Sequence, residues 1–181
     1  NLIEILYLWQ GGLSFHGGLL GIVTAAIIIS KLYKTTFFEI SDLICVSAPV
    51  GIFFGRISNF INGELFGRPS NFLIGMKFPN ADNQYRHPSQ LYEAFLEGLL
   101  LFIILNFLIF KFKKLKNPGI ISGVFLMLYG LFRFTVEFTR EPDIQLGFVY
   151  HFLTMGMILS LPMFLAGILI LVIKSIKNDT R

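Results

Sequence analysis

Five long apolar segments constrain the fold of this chain more than any other feature of its sequence. They cover residues 11–30, 40–61, 91–110, 120–138 and 152–173. Each has about the 17–25 residues that a helix needs to cross a hydrocarbon core of roughly 30 Å. The hydrophobic content of 54% and the 21 phenylalanines also lie outside the range of ordinary soluble domains. The sequence therefore predicts an all-α, polytopic membrane helix bundle with about five transmembrane helices.

The basic residues between the apolar segments predict how the bundle is oriented. Lysines cluster after the first, third and fifth segments, at residues 31–34, 111–116 and 174–181. Because basic loops are retained in the cytoplasm, these three sides are predicted to be cytoplasmic. Residues 62–90, rich in glycine and proline, are then predicted to form a small irregular periplasmic head. The short lysine clusters do not form a basic patch with interleaved aromatics, so no nucleic acid is expected as a partner.

A ladder of polar side chains lies at the end of the fourth apolar segment. Tyr129, Arg133, Glu137 and Arg140 follow one another at spacings of three or four residues. On a helix these positions fall within an arc of about 80° on one face. Charges at membrane depth usually mark function. Because one glutamate neutralises only one of two arginines, this face is predicted to bind a lipid phosphate; a self-neutralising structural network is the alternative.

A second polar group lies where the second apolar segment ends. Arg56 and Asn59 are three residues apart, so they share a helical face and could donate together to phosphate oxygens. Asn62 and Glu64 either continue this group into the head or simply cap the helix. For these last two residues the sequence leaves both interpretations open.

Two of the three histidines are candidates for proton transfer, because imidazole titrates near neutral pH. His16, flanked by glycines at the start of the first segment, is either a base or a hydrogen-bond partner of a neighbouring helix. His87 precedes Pro88 and is either a second acid–base candidate or a helix-cap partner. His151 stands alone at the start of the last segment and is interpreted as an interfacial anchor without chemistry.

Several enzyme classes are excluded because their motifs are missing from the sequence. HExxH and other zinc-ligand spacings are absent, as is the GxSxG elbow of serine hydrolases. The aspartates are isolated from one another, so no magnesium pair is expected. No metal or other cofactor is therefore predicted. Cys45, the single cysteine, lies in an apolar segment and is predicted to be an inert thiol.

Taken together, these motifs resemble the prolipoprotein diacylglyceryl transferase family. The resemblance rests on residues 12–18 (GLSFHGG), 55–67 (GRISNFINGELFG), 86–93 (RHPSQLYE), 133–145 and 155–163 (MGMILSLPM). The second stretch is the family signature, with Ser58 where glycine or alanine is usual, and Met157 stands where glutamine is usual. Family members have two further spans before the first one seen here. We therefore expect residues 1–181 to be part of a single integral-membrane domain that lacks its N-terminal spans.

The resemblance implies a reaction at the bacterial inner membrane, with the site toward the periplasm. Family members transfer the diacylglyceryl group of phosphatidylglycerol to the lipobox cysteine of a prolipoprotein and release glycerol phosphate. By resemblance, His16 would be the base for the substrate thiol. Arg56 and Arg133 would stabilise the departing phosphate, since guanidinium groups bind phosphate oxygens in a dry site strongly.

The remaining expected roles are supporting ones. Asn59 and Glu64 would position the glycerol head group, and Tyr129 would orient the substrate or the base. Glu137 would hold Arg133 and Arg140 in the substrate-binding site. His87 would be a positioning residue or an alternative base. The alternative interpretation is a non-catalytic phospholipid-binding or lipid-transport protein that uses the same arginines to hold a head group.

Overall fold

The computed structural model describes residues 15–142, 147–150 and 153–179, with the backbone alone described at 15, 16, 148, 150 and 177–179. Within these ranges the chain forms five long helices, a short 3-10 helix at Lys114–Lys116 and one short strand pair. The long helices are α1 (Phe15–Leu32), α2 (Phe37–Asn62), α3 (Ser89–Phe112), α4 (Ile120–Val136) and α5 (Met155–Asp179). Strands β1 (Phe148–Tyr150) and β2 (Leu153–Thr154) pair antiparallel just before α5.

The helices have the composition of membrane spans. In the described ranges, α2, α3 and the segment Met155–Ile176 of α5 are long and apolar enough to cross a bilayer, and α1 and α4 are shorter apolar helices. The predicted all-α membrane architecture is thus confirmed. Helix α3 is not uniform, because its segment Ala94–Leu100 is π-helical between two α-helical parts. Single π-helical turns occur frequently at functional sites.

Local sequence signals set both ends of α2. Thr36 caps the N-terminus in a capping box: its side chain accepts from the Glu39 amide, and the Glu39 carboxylate accepts from the Thr36 amide. Gly63 ends the helix in the left-handed conformation at φ 67°. The arrangement places Arg56 in the second-last turn of α2, next to the head.

Contacts between helices place α4 within the bundle. The buried carboxylate of Asp42 on α2 accepts hydrogen bonds at 2.8 Å from the backbone amides of Gly119 and Ser122 at the start of α4. A carboxylate at this position satisfies amides that have no partner within the helix. On the opposite side, Gly167 of α5 lies so close to the Met127 backbone that a Cβ would come within 2.8 Å of the Met127 Cα. Small residues permit such close packing of membrane helices.

The head between α2 and α3 is organised around Arg86, which is only 9% exposed. Its Nε and Nη2 atoms donate to Oδ1 and Oδ2 of Asp82 at 2.9 and 3.0 Å. Its Nη1 atom donates to Glu141 Oε2 at 2.9 Å. The hydrogen bonds from Arg86 hold the pKa of Asp82 below its usual value. Gly67 lies against the backbone of His87 and Thr139, where a side chain would clash. These contacts join the irregular head to the chain that follows α4.

Candidate active site

Six charged side chains from three helices and one turn meet at the end of the bundle that faces the head. We call them the arginine–glutamate cluster. Its members are Arg56 on α2, Glu93 and Glu97 on α3, Arg133 on α4, and Glu137 and Arg140 in the turn that follows α4. The cluster is the densest group of ion pairs in the described ranges.

Glu93 is the centre of the cluster. Its Oε2 atom lies 2.6 Å from Arg56 Nη2, 2.8 Å from Arg133 Nη1 and 3.5 Å from Arg140 Nη1. The Glu93 side chain is fully buried, whereas those of Arg56 and Arg133 are 19% and 14% exposed. One carboxylate oxygen therefore contacts three guanidinium groups, and the side chains of Arg56 and Arg133 remain partly exposed.

Arg133 is held from two sides. While Nη1 contacts Glu93, Nη2 lies 3.0 Å from Glu137 Oε2. Glu137 is itself buried and accepts a 2.8 Å hydrogen bond from the hydroxyl of Thr154, the last residue of β2. The two carboxylates thus fix the plane of the Arg133 guanidinium group. Arg140 forms an ion pair with Glu93, and the expected contact of Glu137 with Arg140 stays a prediction.

The prediction of one continuous helical face from Tyr129 to Arg140 was wrong. Helix α4 ends at Val136, and the chain then turns. The Val136 carbonyl accepts from the Thr139 amide and hydroxyl, both at 2.9 Å, and from the Arg140 amide at 3.2 Å. A threonine hydroxyl that binds a nearby carbonyl offers the backbone an alternative to the helix. Arg140 still reaches the cluster because its backbone pairs with Gly67 of the head.

The predicted excess of positive charge was also wrong. Helix α4 and the turn after it carry one glutamate and two arginines of the cluster, but α3 adds two carboxylates, Glu93 and Glu97. Arginines and glutamates are then equal in number within it. The missed signal was the four-residue spacing of two glutamates in an apolar segment, because charges in such segments face the bundle interior.

Two of the other candidate residues lie near the cluster along their helices. Asn59 is half-buried, one turn after Arg56 on α2. Tyr129 is one turn before Arg133 on α4, and its ring stacks on that of Phe125 with 5.7 Å between centroids.

Glu64, His87 and His16 are the remaining predicted site residues. The Glu64 side chain is exposed, and the Glu64 carbonyl accepts a 2.6 Å hydrogen bond from the Gln90 amide group. His87 Nδ1 in the head lies 3.3 Å from the hydroxyl of Tyr92 on α3. Neither Glu64 nor His87 forms an ion pair with the cluster in the ranges that the structure describes. The backbone of His16 begins α1, but its side chain lies outside the described part of the structure, as does His151.

Buried ion pairs inside a helical bundle of this kind are typical of membrane proteins that act on charged substrates. The model of the family described as "Prolipoprotein diacylglyceryl transferase" matches residues 1–173 of the chain. The chain belongs to this family. The resemblance of the sequence motifs to the family is thereby confirmed.

Curated relatives support the same family assignment. A Rickettsia bellii protein is 51% identical over 181 residues, which are all of this chain and 69% of the relative. Proteins of Rickettsia felis and Rickettsia africae are 54% and 56% identical over 167 residues, 92% of this chain and 64% of each relative. All three are named phosphatidylglycerol–prolipoprotein diacylglyceryl transferase. The chain thus spans about two thirds of the length of these relatives.

Proposed function

We propose that this chain provides the head-group site of an enzyme that moves the diacylglyceryl group of phosphatidylglycerol onto the cysteine thiol of a prolipoprotein. The substrate thiolate attacks the terminal glyceryl carbon of the diacylglyceryl group. A C–S thioether bond forms as the C–O bond to the phosphate breaks. The electron pair of that bond leaves with glycerol phosphate, and the thiol proton passes to a base.

The observation that carries this proposal is the convergence of Arg56 and Arg133 from separate helices. Both guanidinium groups lie within 2.8 Å of the same Glu93 oxygen, so both can reach one anionic group. Each guanidinium has five N–H donors. The ion pairs of the cluster occupy Nη2 of Arg56, and both Nη1 and Nη2 of Arg133. A phosphate that binds the remaining N–H donors of the two arginines would therefore leave Glu93 in place, where it orients both guanidinium groups.

Charge development gives this arrangement its catalytic value. As the C–O bond breaks, negative charge grows on the phosphate oxygens. Pre-oriented guanidinium groups in a site that excludes water stabilise such charge by several kcal/mol, without reorganising during the step. Tyr129, Asn59 and Arg140 line the same end of the bundle and would position the lipid.

His16 is proposed to accept the thiol proton. The thiolate, not the thiol, is the nucleophile, and a free cysteine with a pKa near 8.5 is mostly protonated at neutral pH. A histidine base raises the thiolate fraction at the moment of attack. His87, which lies in the head and contacts Tyr92 on α3, is retained as a positioning residue or an alternative base.

The proposed location is the bacterial inner membrane, with the site toward the periplasm. The cluster and the head lie at one end of the bundle, whereas the lysine-rich connections at residues 31–34 and 111–116 lie at the other ends of α1 and α3. Basic connections mark the cytoplasmic side. The names of the relatives favour a transferase over a non-catalytic lipid-transport protein.

The test is the formation of a thioether adduct. Membranes that contain the full-length protein are incubated with phosphatidylglycerol and a lipobox peptide, and the peptide mass is measured. We expect wild-type membranes to form the adduct and His16→Ala to lower its rate by about 10²–10⁴-fold, the usual contribution of a general base. His151→Ala is the matched control and should retain the wild-type rate. An unchanged rate in His16→Ala would contradict the assignment of the base, and no adduct from wild type would contradict the function.

A further inference from the structure

Glu97 is a buried carboxylate for which the proposed phosphate contacts give no role. Its side chain is fully buried on the π-helical segment of α3. Among the described residues, no donor forms a hydrogen bond with either of its carboxylate oxygens. The ion-pair contact of Glu97 is to Arg133, whose Nη1 lies 3.9 Å from Glu97 Oε1, beyond hydrogen-bond distance.

Buried acceptors without donors need an explanation, because each costs about 1–3 kcal/mol. Within the described ranges, Glu93 Oε1 and Gln90 Oε1 on the same helix are also buried without a hydrogen-bond partner. Helix α3 therefore offers buried acceptor atoms without donors, whereas Arg56 and Arg133 offer N–H donors. A ligand that pairs with both sets of atoms must combine an anionic group with hydrogen-bond donors.

The position of Glu97 is fixed by tight packing beside it. Gly98 lies so close to Phe53 of α2 that a Cβ would come within 2.8 Å of the Phe53 Cα. The close approach holds the π-helical segment of α3 against the helix that carries Arg56. Glu97 and Arg56 are therefore held in a fixed relation, as a recognition site requires.

We propose that Glu97 determines head-group specificity by accepting hydrogen bonds from the glycerol hydroxyls of the anionic lipid. The proposal rests on the proposed function above. In phosphatidylglycerol a short carbon chain joins the phosphate to two hydroxyl donors, which fits a carboxylate 3.9 Å from a phosphate-binding arginine. Acidic side chains recognise sugar hydroxyls in the same way in dinucleotide-binding sites. A head group without hydroxyls would leave the Glu97 oxygens unpaired.

The test compares two lipids that differ only in these hydroxyls. Phosphatidylglycerol and phosphatidylpropanol with identical acyl chains are supplied to full-length protein in membranes. For each lipid, kcat/KM for transfer to the lipobox peptide and the affinity of the protein are measured. Sites built around a substrate hydroxyl reject analogues that lack it, so we expect wild type to prefer phosphatidylglycerol at least tenfold. In Glu97→Gln the ratio of kcat/KM for phosphatidylglycerol to that for phosphatidylpropanol should fall at least about tenfold relative to wild type.

Each outcome decides the proposal. Equal losses on both lipids in Glu97→Gln would overturn it, since Glu97 would then act on the cluster or the fold alone. A wild-type protein without preference would overturn it even if the variant does not fold. If wild type binds both lipids but transfers neither, the proposed function fails, whereas the ratio of the two affinities still decides the role of Glu97.

Discussion

Replacing Arg133 by lysine is expected to lower kcat/KM for thioether formation by roughly 10²–10³-fold, the usual effect of removing a donor aimed at developing charge. Arg133 contacts Glu93 through Nη1 and Glu137 through Nη2, at 2.8 and 3.0 Å. A lysine ammonium is a single point of charge, so it cannot span both carboxylates and also present a planar edge to a phosphate. The loss should therefore occur although the charge is conserved.

Arg140→Lys is the matched comparison for this variant. Arg140 makes the same type of contact with Glu93, but its Nη1 lies 3.5 Å from the carboxylate oxygen, whereas that of Arg133 lies 2.8 Å from it. We expect it to lose less than about tenfold in the same assay. Thermal unfolding in detergent shows whether each variant is folded at the assay temperature. A folded Arg133→Lys variant with the wild-type rate would contradict the proposed binding of the lipid phosphate by Arg133.

Replacing Glu93 by glutamine is expected to lower the free energy of unfolding by about 3–5 kcal/mol, as the removal of one partner from a buried ion pair does. The Glu93 carboxylate is fully buried and contacts Arg56, Arg133 and Arg140 within 3.5 Å. Glutamine has nearly the same shape but no charge, so the three guanidinium groups lose the carboxylate charge that they share. Unfolding of the full-length protein in detergent micelles measures the difference.

The control for Glu93→Gln is Glu64→Gln, which makes the same chemical change at an exposed side chain. Its stability should stay within about 0.5 kcal/mol of wild type. If Glu93→Gln were as stable as this control, Glu93 would not be the electrostatic centre of the cluster. Lipid binding to the two variants can then be compared at a temperature at which both are folded.

The apolar helices could be predicted from the sequence because a bilayer imposes length and composition on each span separately. The apolar segment 40–61 lies within α2, Phe37–Asn62, and the segment 91–110 lies within α3, Ser89–Phe112. Capping residues such as Thr36 and Gly63 explain the small differences at the ends of α2. In each case the signal is local, so no knowledge of neighbouring helices was required.

The site was only partly predictable because its electrostatics depend on contacts between helices. Residue spacing grouped Arg133 with Glu137 on one segment, but it could not show that Glu93 of α3 would lie between Arg56 and Arg133. Likewise, the end of α4 at Val136 depends on Thr139 and on pairing with the head. Two glutamates in an apolar segment were the available signal for the missing half of the cluster.

The most direct test of the whole account is a structure of the full-length protein with phosphatidylglycerol bound in a lipid environment. We expect the lipid phosphate to accept hydrogen bonds from both Arg56 and Arg133, with Glu93 still paired to both on the inner side. A phosphate bound elsewhere, or held by one of the two arginines while the other stays bound to protein carboxylates alone, would contradict the account.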